Sequence, residues 1–123
     1  MQKKQIQEIK KAQKESLLLR ELSKFFLRIT LDDPELKELH ISHVKLSPDN
    51  SMCSVFFYAT EGEEGFNKLF KKLVLYKPSL RKALSQSLAL RHTPNLKFKY
   101  DKAVEKQRKV EELLNKIKTE DPL

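Results

Sequence analysis

His40, His43 and Cys53 are the residues of this chain best suited to a metal, because imidazole nitrogen and thiolate sulfur are good zinc ligands. Their spacing argues against such a site. Two histidines an odd number of positions apart on a strand fall on opposite faces unless a bulge intervenes, and no fourth ligand is near in sequence. Cys53 therefore reads as a small core residue. Asp33 and Asp49 invite a paired-carboxylate reading, but each neighbours a proline in a turn, where aspartate satisfies backbone groups. His92 follows Arg91 at a helix end, where it can favour the helix dipole or touch phosphate. No nucleophile stands beside a base, so no catalytic residue, metal, cofactor or small-molecule substrate is expected.

Charge is the stronger signal. The 123 residues hold 25 Lys and Arg against 17 Asp and Glu, for a net +8. Residues 1–28 carry eight basic and three acidic side chains, and residues 29–65 carry two basic and eight acidic. Residues 66–96 then hold seven basic side chains and no acid, and residues 97–123 hold eight basic and six acidic. An acid-free block concentrates positive potential and draws a polyanion, of which nucleic acid is the commonest. Lys71, Lys72, Lys77, Arg81, Lys82 and Arg91 are the expected phosphate contacts, with Lys97, Lys99 and the N-terminal helix as a second basic surface.

Composition excludes other classes. The two glycines, Gly62 and Gly65, cannot make a dinucleotide loop, a P-loop or a GxxG clamp. One cysteine allows no intrachain disulfide, so a reducing cytoplasm is the expected compartment. The longest apolar stretch, Val55 to Ala59, is far short of the roughly 20 residues that span a bilayer. A single small domain is expected, and a monomer.

The elements that position these side chains follow from periodicity. Leu18, Leu22, Phe25, Phe26 and Ile29 stripe a helix from about Gln5 to Arg28, which protrudes or frays before about Glu15 and is stopped by Asp33-Pro34. Leu39, Ile41, Val44 and Leu46 mark a strand whose apolar phase slips by one, so a bulge is expected near Ser42 and His43. Ser47-Pro48-Asp49-Asn50 turns the chain into a second strand, Met52 to Thr60, with Cys53, Val55 and Phe57 inward. Phe56 and Tyr58 face outward, where they could stack bases unless the final helix covers them; packing is favoured for Phe56 and Tyr58 is left open.

Phe66, Leu69, Phe70, Leu73 and Val74 give the clearest helical stripe, interrupted at Tyr76-Lys77-Pro78 and resumed by Leu80, Ala83, Leu84 and Leu88 until Thr93-Pro94-Asn95 ends it. Leu96, Phe98 and Tyr100 alternate as a third strand, and Asp101 caps a last helix striped by Val110, Leu113, Leu114 and Ile117. The order α-β-β-α-α-β plus a helix predicts an α+β, type II KH-like domain, its three-stranded sheet packed by helices on one face. The expected organisation is a Lys/Gln-rich extension over 1–16, the domain with its C-terminal helix over 17–118, and a loose tail over 119–123.

Particular residues also resemble the ribosome-binding factor A family, from roughly Leu17 to Ile117. They are Asp33-Pro34 with Leu36, the run Ile41-Ser42-His43-Val44-Lys45-Leu46-Ser47-Pro48-Asp49, Val55, Leu80-Arg81, Leu90-Arg91, Pro94, Leu96-Lys97-Phe98 and Tyr100-Asp101. The resemblance implies a KH-like, non-enzymatic factor that binds free or immature 30S subunits through 16S rRNA and assists late maturation of the rRNA 5′ end, notably in the cold. In that family the junction of the second and third helices usually reads Ala-x-Gly, where this chain has Tyr76 and Pro78. Proline fixes φ and removes an N–H, so Lys77 and Arg81 are left to reach RNA by side chain. The alternatives are a permanent basic structural ribosomal protein, or a KH-like RNA binder with a non-ribosomal target.

Overall fold

Leu18, Leu22 and Phe26 recur at helical spacing and are each buried, which fixes the face that helix α1 (Gln2–Asp32) lays on the rest of the chain. The computed structural model describes residues 2–120, with side chains over 5–117. Before Glu15 the same helix continues with Ile6 and Ile9 exposed, so it protrudes rather than frays. Glu15 closes that stretch: its carboxylate accepts the Leu46 N–H at 2.7 Å and ties α1 to the end of the first strand. Pro34 ends the helix as expected, and the chain makes a short 3-10 turn over Pro34–Glu38 that buries Leu36 completely.

Strand β1 (Leu39–Leu46) pairs antiparallel with β2 (Met52–Ala59), and the register shifts between Ile41 and His43. That is the bulge the apolar phase slip predicted. Asp49 binds both Ser47 and Ser51 in the connecting turn, and the bonds hold its carboxyl down at about 2. Helix α2 (Glu63–Leu75) begins at Gly62, whose φ of 78° is strained for any residue with a Cβ. Tyr76 separates it from α3 (Lys77–Ser87), with Pro78 in the first turn of the second helix. Strand β3 (Asn95–Tyr100) then joins β2 in parallel, giving the order β1-β2-β3, and α4 (Lys102–Glu120) follows.

The result is a two-layer α+β domain in which α1, α2 and α3 pack on one face of a mixed sheet. Cys53, Val55, Phe57 and Ala59 of the central strand are all buried on that face. Phe57 is its centre: the ring meets Phe26 and Phe98 edge-on with centroids 5.4 Å apart and lies 6.1 Å from Phe66. Truncating such a ring to alanine costs about 3–5 kcal/mol.

Two expectations change. The second helix of the pair ends at Ser87 rather than running to Thr93, because Leu88 is extended at φ −111°, ψ 129°. Leu88 and Leu90 are half-buried and Ala89 between them is exposed, so the segment meets the core with a strand-like period instead of a helical one. The apolar stripe of α4 also finds no place against the sheet: Val110, Leu113, Leu114 and Ile117 are all more than half exposed. Of the expected tail, Thr119 and Glu120 are helical, and residues 121–123 lie outside the described residues. No helix among the described residues is long and apolar enough to cross a membrane.

Candidate nucleic-acid interface

The acid-free block of the sequence folds into an open groove. Helix α3 supplies Lys77, Arg81 and Lys82, and the bend before β3 supplies Arg91, His92 and Thr93, around about 790 Å³. No acidic side chain lines it. Four of the eight predicted phosphate contacts therefore meet in one place. Arg81 holds the groove's shape, donating through one guanidinium nitrogen to the Thr93 carbonyl at 3.0 Å and through Nε to the Pro94 carbonyl at 3.3 Å. Carbonyls are neutral, so its charge stays uncompensated, and the remaining guanidinium N–H groups can still meet phosphate. The Lys77 amine sits 5.3 Å from the Phe98 ring centroid, a contact that steadies its stem without neutralising it.

The other four predicted residues divide. Lys71 is exposed on α2. Lys72, one position on, is engaged elsewhere: its amine lies 2.7 Å from Asp33 and 3.0 Å from Glu35. Two carboxylates around one ammonium leave that cluster net negative, which repels phosphate. The Tyr76 hydroxyl donates to the same Asp33 at 3.2 Å, so Asp33 joins the end of α1 to the α2–α3 junction. In the turn itself the Asp33 carbonyl accepts the Leu36 N–H at 3.1 Å and the Glu35 backbone N–H faces its carboxylate, without a full side-chain cap bond. The Lys72 hydrogen bond, opposed by burial and joined by the Tyr76 bond, draws the Asp33 carboxyl below its ordinary range. Burial, and then Asp33, push the Tyr76 hydroxyl up.

Lys97 and Lys99 belong to a different surface, the face of the sheet that α1, α2 and α3 do not cover. Pairing across the three strands sets Lys45, Ser54 and Lys97 in one row and His43, Phe56 and Lys99 in the next. The His43 ring stacks on Phe56 at 4.3 Å and 7° between planes, with the Lys99 amine 5.8 Å from the Phe56 centroid. His40 stacks on Tyr58 at 5.0 Å, and Arg108 of α4 lies 5.5 Å from the Tyr58 ring. Phe56 is thus flanked by imidazole and cation, while α4 reaches over the face at Tyr58 through Arg108.

Asp101 organises this face. It accepts the Val104 N–H at 3.1 Å as the cap of α4 and the Ser42 hydroxyl at 2.6 Å across the sheet, and His43 Nδ1 lies 3.0 Å away. Burial raises its carboxyl, but these bonds and the neighbouring imidazole together outweigh it, leaving the group below its ordinary value. Serine, histidine and aspartate meet here without forming a hydrolytic triad. In a triad the two ring nitrogens face the carboxylate and the hydroxyl separately. Here Ser42 Oγ, 3.2 Å from His43 Nδ1, shares that one nitrogen with Asp101, so no base is set against the hydroxyl. A metal reading also fails on geometry. The bulge brings His40 and His43 to the same outer face, while Cys53 is buried on the inner one, where burial, followed by the charge of Glu15, pushes its thiol up to about 12.

His40, His43, Lys45 and Arg108 share this surface with Lys97 and Lys99, although they are not among the phosphate contacts expected from the sequence. The signal was present for three of them: once the bulge is placed, His40, His43 and Lys45 fall in phase opposite Tyr58, Phe56 and Ser54. Arg108 depends on the direction α4 takes, which no local pattern encodes.

The element order, the mixed sheet and the basic groove define a KH-like α+β domain. The sequence profile of the Ribosome-binding factor A family matches residues 10–114. Ribosome-binding factor A of Ruthia magnifica subsp. Calyptogena magnifica is 36% identical over 103 residues, covering 82% of this chain and 88% of its own. The crystal structure of ribosome-binding factor A from Thermus thermophilus superposes with a TM-score of 0.63 at 33% identity, covering 73% of this chain and 93% of that one. A homology model of the Thermus thermophilus factor, fitted into the cryo-EM map of its complex with the 30S particle, gives a TM-score of 0.58 at 32% identity, over 72% and 91% of the two chains. The chain belongs to the ribosome-binding factor A family.

Proposed function

We propose that this chain is a transient, non-enzymatic assembly factor of the small ribosomal subunit, which binds free or immature 30S particles through 16S rRNA in the cytoplasm. It holds the rRNA in an intermediate arrangement, assists late maturation of the 5′ end, and leaves when that step is complete. The observation that carries the reading is the groove of Lys77, Arg81, Lys82 and Arg91, free of acidic lining, in a member of this family. The related Thermus thermophilus factor, fitted into a 30S complex, supports the choice of particle. Binding by charge and shape also agrees with a Ser42-His43-Asp101 cluster whose geometry arms no nucleophile.

Sedimentation of the tagged protein from cell extract tests the proposal. Enrichment on free small subunits, stripped by salt and absent from 70S particles and polysomes, is the expected result. Even distribution across translating ribosomes would instead make it a permanent ribosomal component.

A further inference from the structure

We propose that the face of the sheet opposite α1, α2 and α3 is a second RNA site along its β1 edge, taking unpaired bases on the rings of His43 and His40 and the adjoining phosphates on Lys45, Lys97 and Lys99. The inference rests on the RNA-binding reading above and adds a site distinct from the α3 groove. Its basis is the pair of columns that cross the sheet, Lys99–Phe56–His43 and Arg108–Tyr58–His40. In each, the cation lies toward one side of the aromatic ring and the imidazole stacks on the ring from β1. Since β1 is an edge strand, each column ends there on a histidine.

Those terminal rings are exposed, His43 with 49% of its side chain in solvent. The His43 ring is also fixed in orientation, by the Phe56 stack below and by Asp101 at Nδ1. A ring already held in place loses little freedom when a base stacks on it, which favours binding. A stacking platform flanked by cations is the arrangement that binds single-stranded nucleic acid, because every base has a π face and every nucleotide a phosphate. Lys45 and Lys97 flank Ser54 in the row beside the first column and, with Lys99, supply that charge. The acid beside His43, Asp101, is buried and already bonded to Ser42 and Val104, while Glu61, Glu105 and Glu112 line the pocket on the Tyr58–Arg108 side, so the phosphates belong on the Lys45, Lys97 and Lys99 side. Stacking between successive base pairs hides the π faces inside a duplex, so the ligand chemistry is an unpaired RNA strand rather than a duplex.

The test is amide chemical-shift mapping and fluorescence anisotropy with a short single-stranded oligoadenylate and, separately, a duplex RNA. The single strand should shift amides of β1 and β3 around His40, His43, Lys97 and Lys99 and bind more tightly than the duplex. His40→Ala, which breaks no hydrogen bond described above, should weaken single-strand binding about tenfold. His43→Phe keeps a stacking ring while removing the imidazole nitrogens, and should retain binding where His43→Ala loses it. Shifts confined to the α3 groove, equal affinity for duplex, or equal displacement by an acidic peptide would each overturn the sheet-face site while leaving the subunit-binding proposal standing. Failure of the oligonucleotide to bind at all would also overturn the sheet-face site, and sedimentation of the His40→Ala protein on small subunits would show that the groove suffices.

Discussion

The Ser42 hydroxyl donates to the Asp101 carboxylate at 2.6 Å, joining the bulge of β1 to the cap of α4 across the whole width of the sheet. One carboxylate thus serves two elements that are far apart in sequence. Asp101→Ala removes the cap and leaves the Ser42 hydroxyl without this partner. A lost cap costs about 0.5–2 kcal/mol, and exchanging the short bond to the carboxylate for the longer one the Ser42 hydroxyl can make to the Phe56 carbonyl, at 3.2 Å, adds about 0.5 kcal/mol. Urea denaturation should show a total near 2 kcal/mol, and circular dichroism should show reduced helix from α4. Asp101→Asn should retain part of the stability, because the amide oxygen can still accept from Val104.

Acid should weaken the fold through its depressed carboxyls. Asp33, Asp49 and Asp101 all titrate below their ordinary value, Asp49 at about 2. Each holds fewer protons folded than unfolded, so its contribution is fully present above the unfolded value of 3.8. It is lost as pH falls through the folded value. Thermal unfolding from pH 6 downward should be flat at first and then decline below about pH 4. Asp49→Asn should make that decline shallower.

Neighbouring lysines of α2 should behave differently. Lys72→Met removes the ammonium shared by Asp33 and Glu35, so it should lower the melting temperature. Lys71→Met, at an exposed position, should leave it unchanged. Small-subunit affinity at matched folded fraction should fall more for Lys71→Met, since Lys72 is already neutralised.

Within the groove, Lys82→Glu with Arg91→Glu reverses charge at two exposed positions. Melting should be unaffected and small-subunit binding should be lost. Neutral replacements at the same two positions should reduce the slope of log affinity against log salt by about 0.7–0.9 for each phosphate released. Arg81→Lys is a separate test: lysine cannot bridge the Thr93 and Pro94 carbonyls, so the bend carrying Arg91 should loosen even though the charge is kept.

Cys53 provides a measure of opening. Its side chain is fully buried, and burial, with Glu15 second, raises its thiol to about 12. Almost no thiolate is present at neutral pH in the folded protein, so a thiol reagent should react only through opening. The labelling rate should rise with urea in parallel with unfolding.

Much of this architecture is written in short-range pattern. The stripe of α1, the proline breaks at Pro34 and Pro78, and the phase slip beside Ser42 each act within a few residues, and each appears where the sequence places it. The cap at Asp101 is equally local. What the sequence hides is the use of charge. Lys72 and Lys71 are indistinguishable as letters, and their difference comes from Asp33 and Glu35, which the fold carries to one of them only. Arg81 has the same character: its grip on two backbone carbonyls depends on where the bend before β3 lies. Helical periodicity likewise identified α4 but not its exposure, because a stripe encodes amphipathicity and says nothing of what meets it.

The parallel pairing of β2 with β3 sets an order on folding during synthesis. The β1–β2 hairpin needs only the Ser47–Ser51 turn and can form while the rest of the chain is still being made. The β3 partner lies beyond both α2 and α3, so until Asn95–Tyr100 emerges the strand carrying Val55 and Phe57 has an open hydrogen-bonding edge. An unpaired, apolar edge is where nascent chains stick to one another. The vulnerable interval in the life of this protein is therefore the time a ribosome takes to translate from Ala59 to Tyr100, and slow translation in that stretch lengthens it.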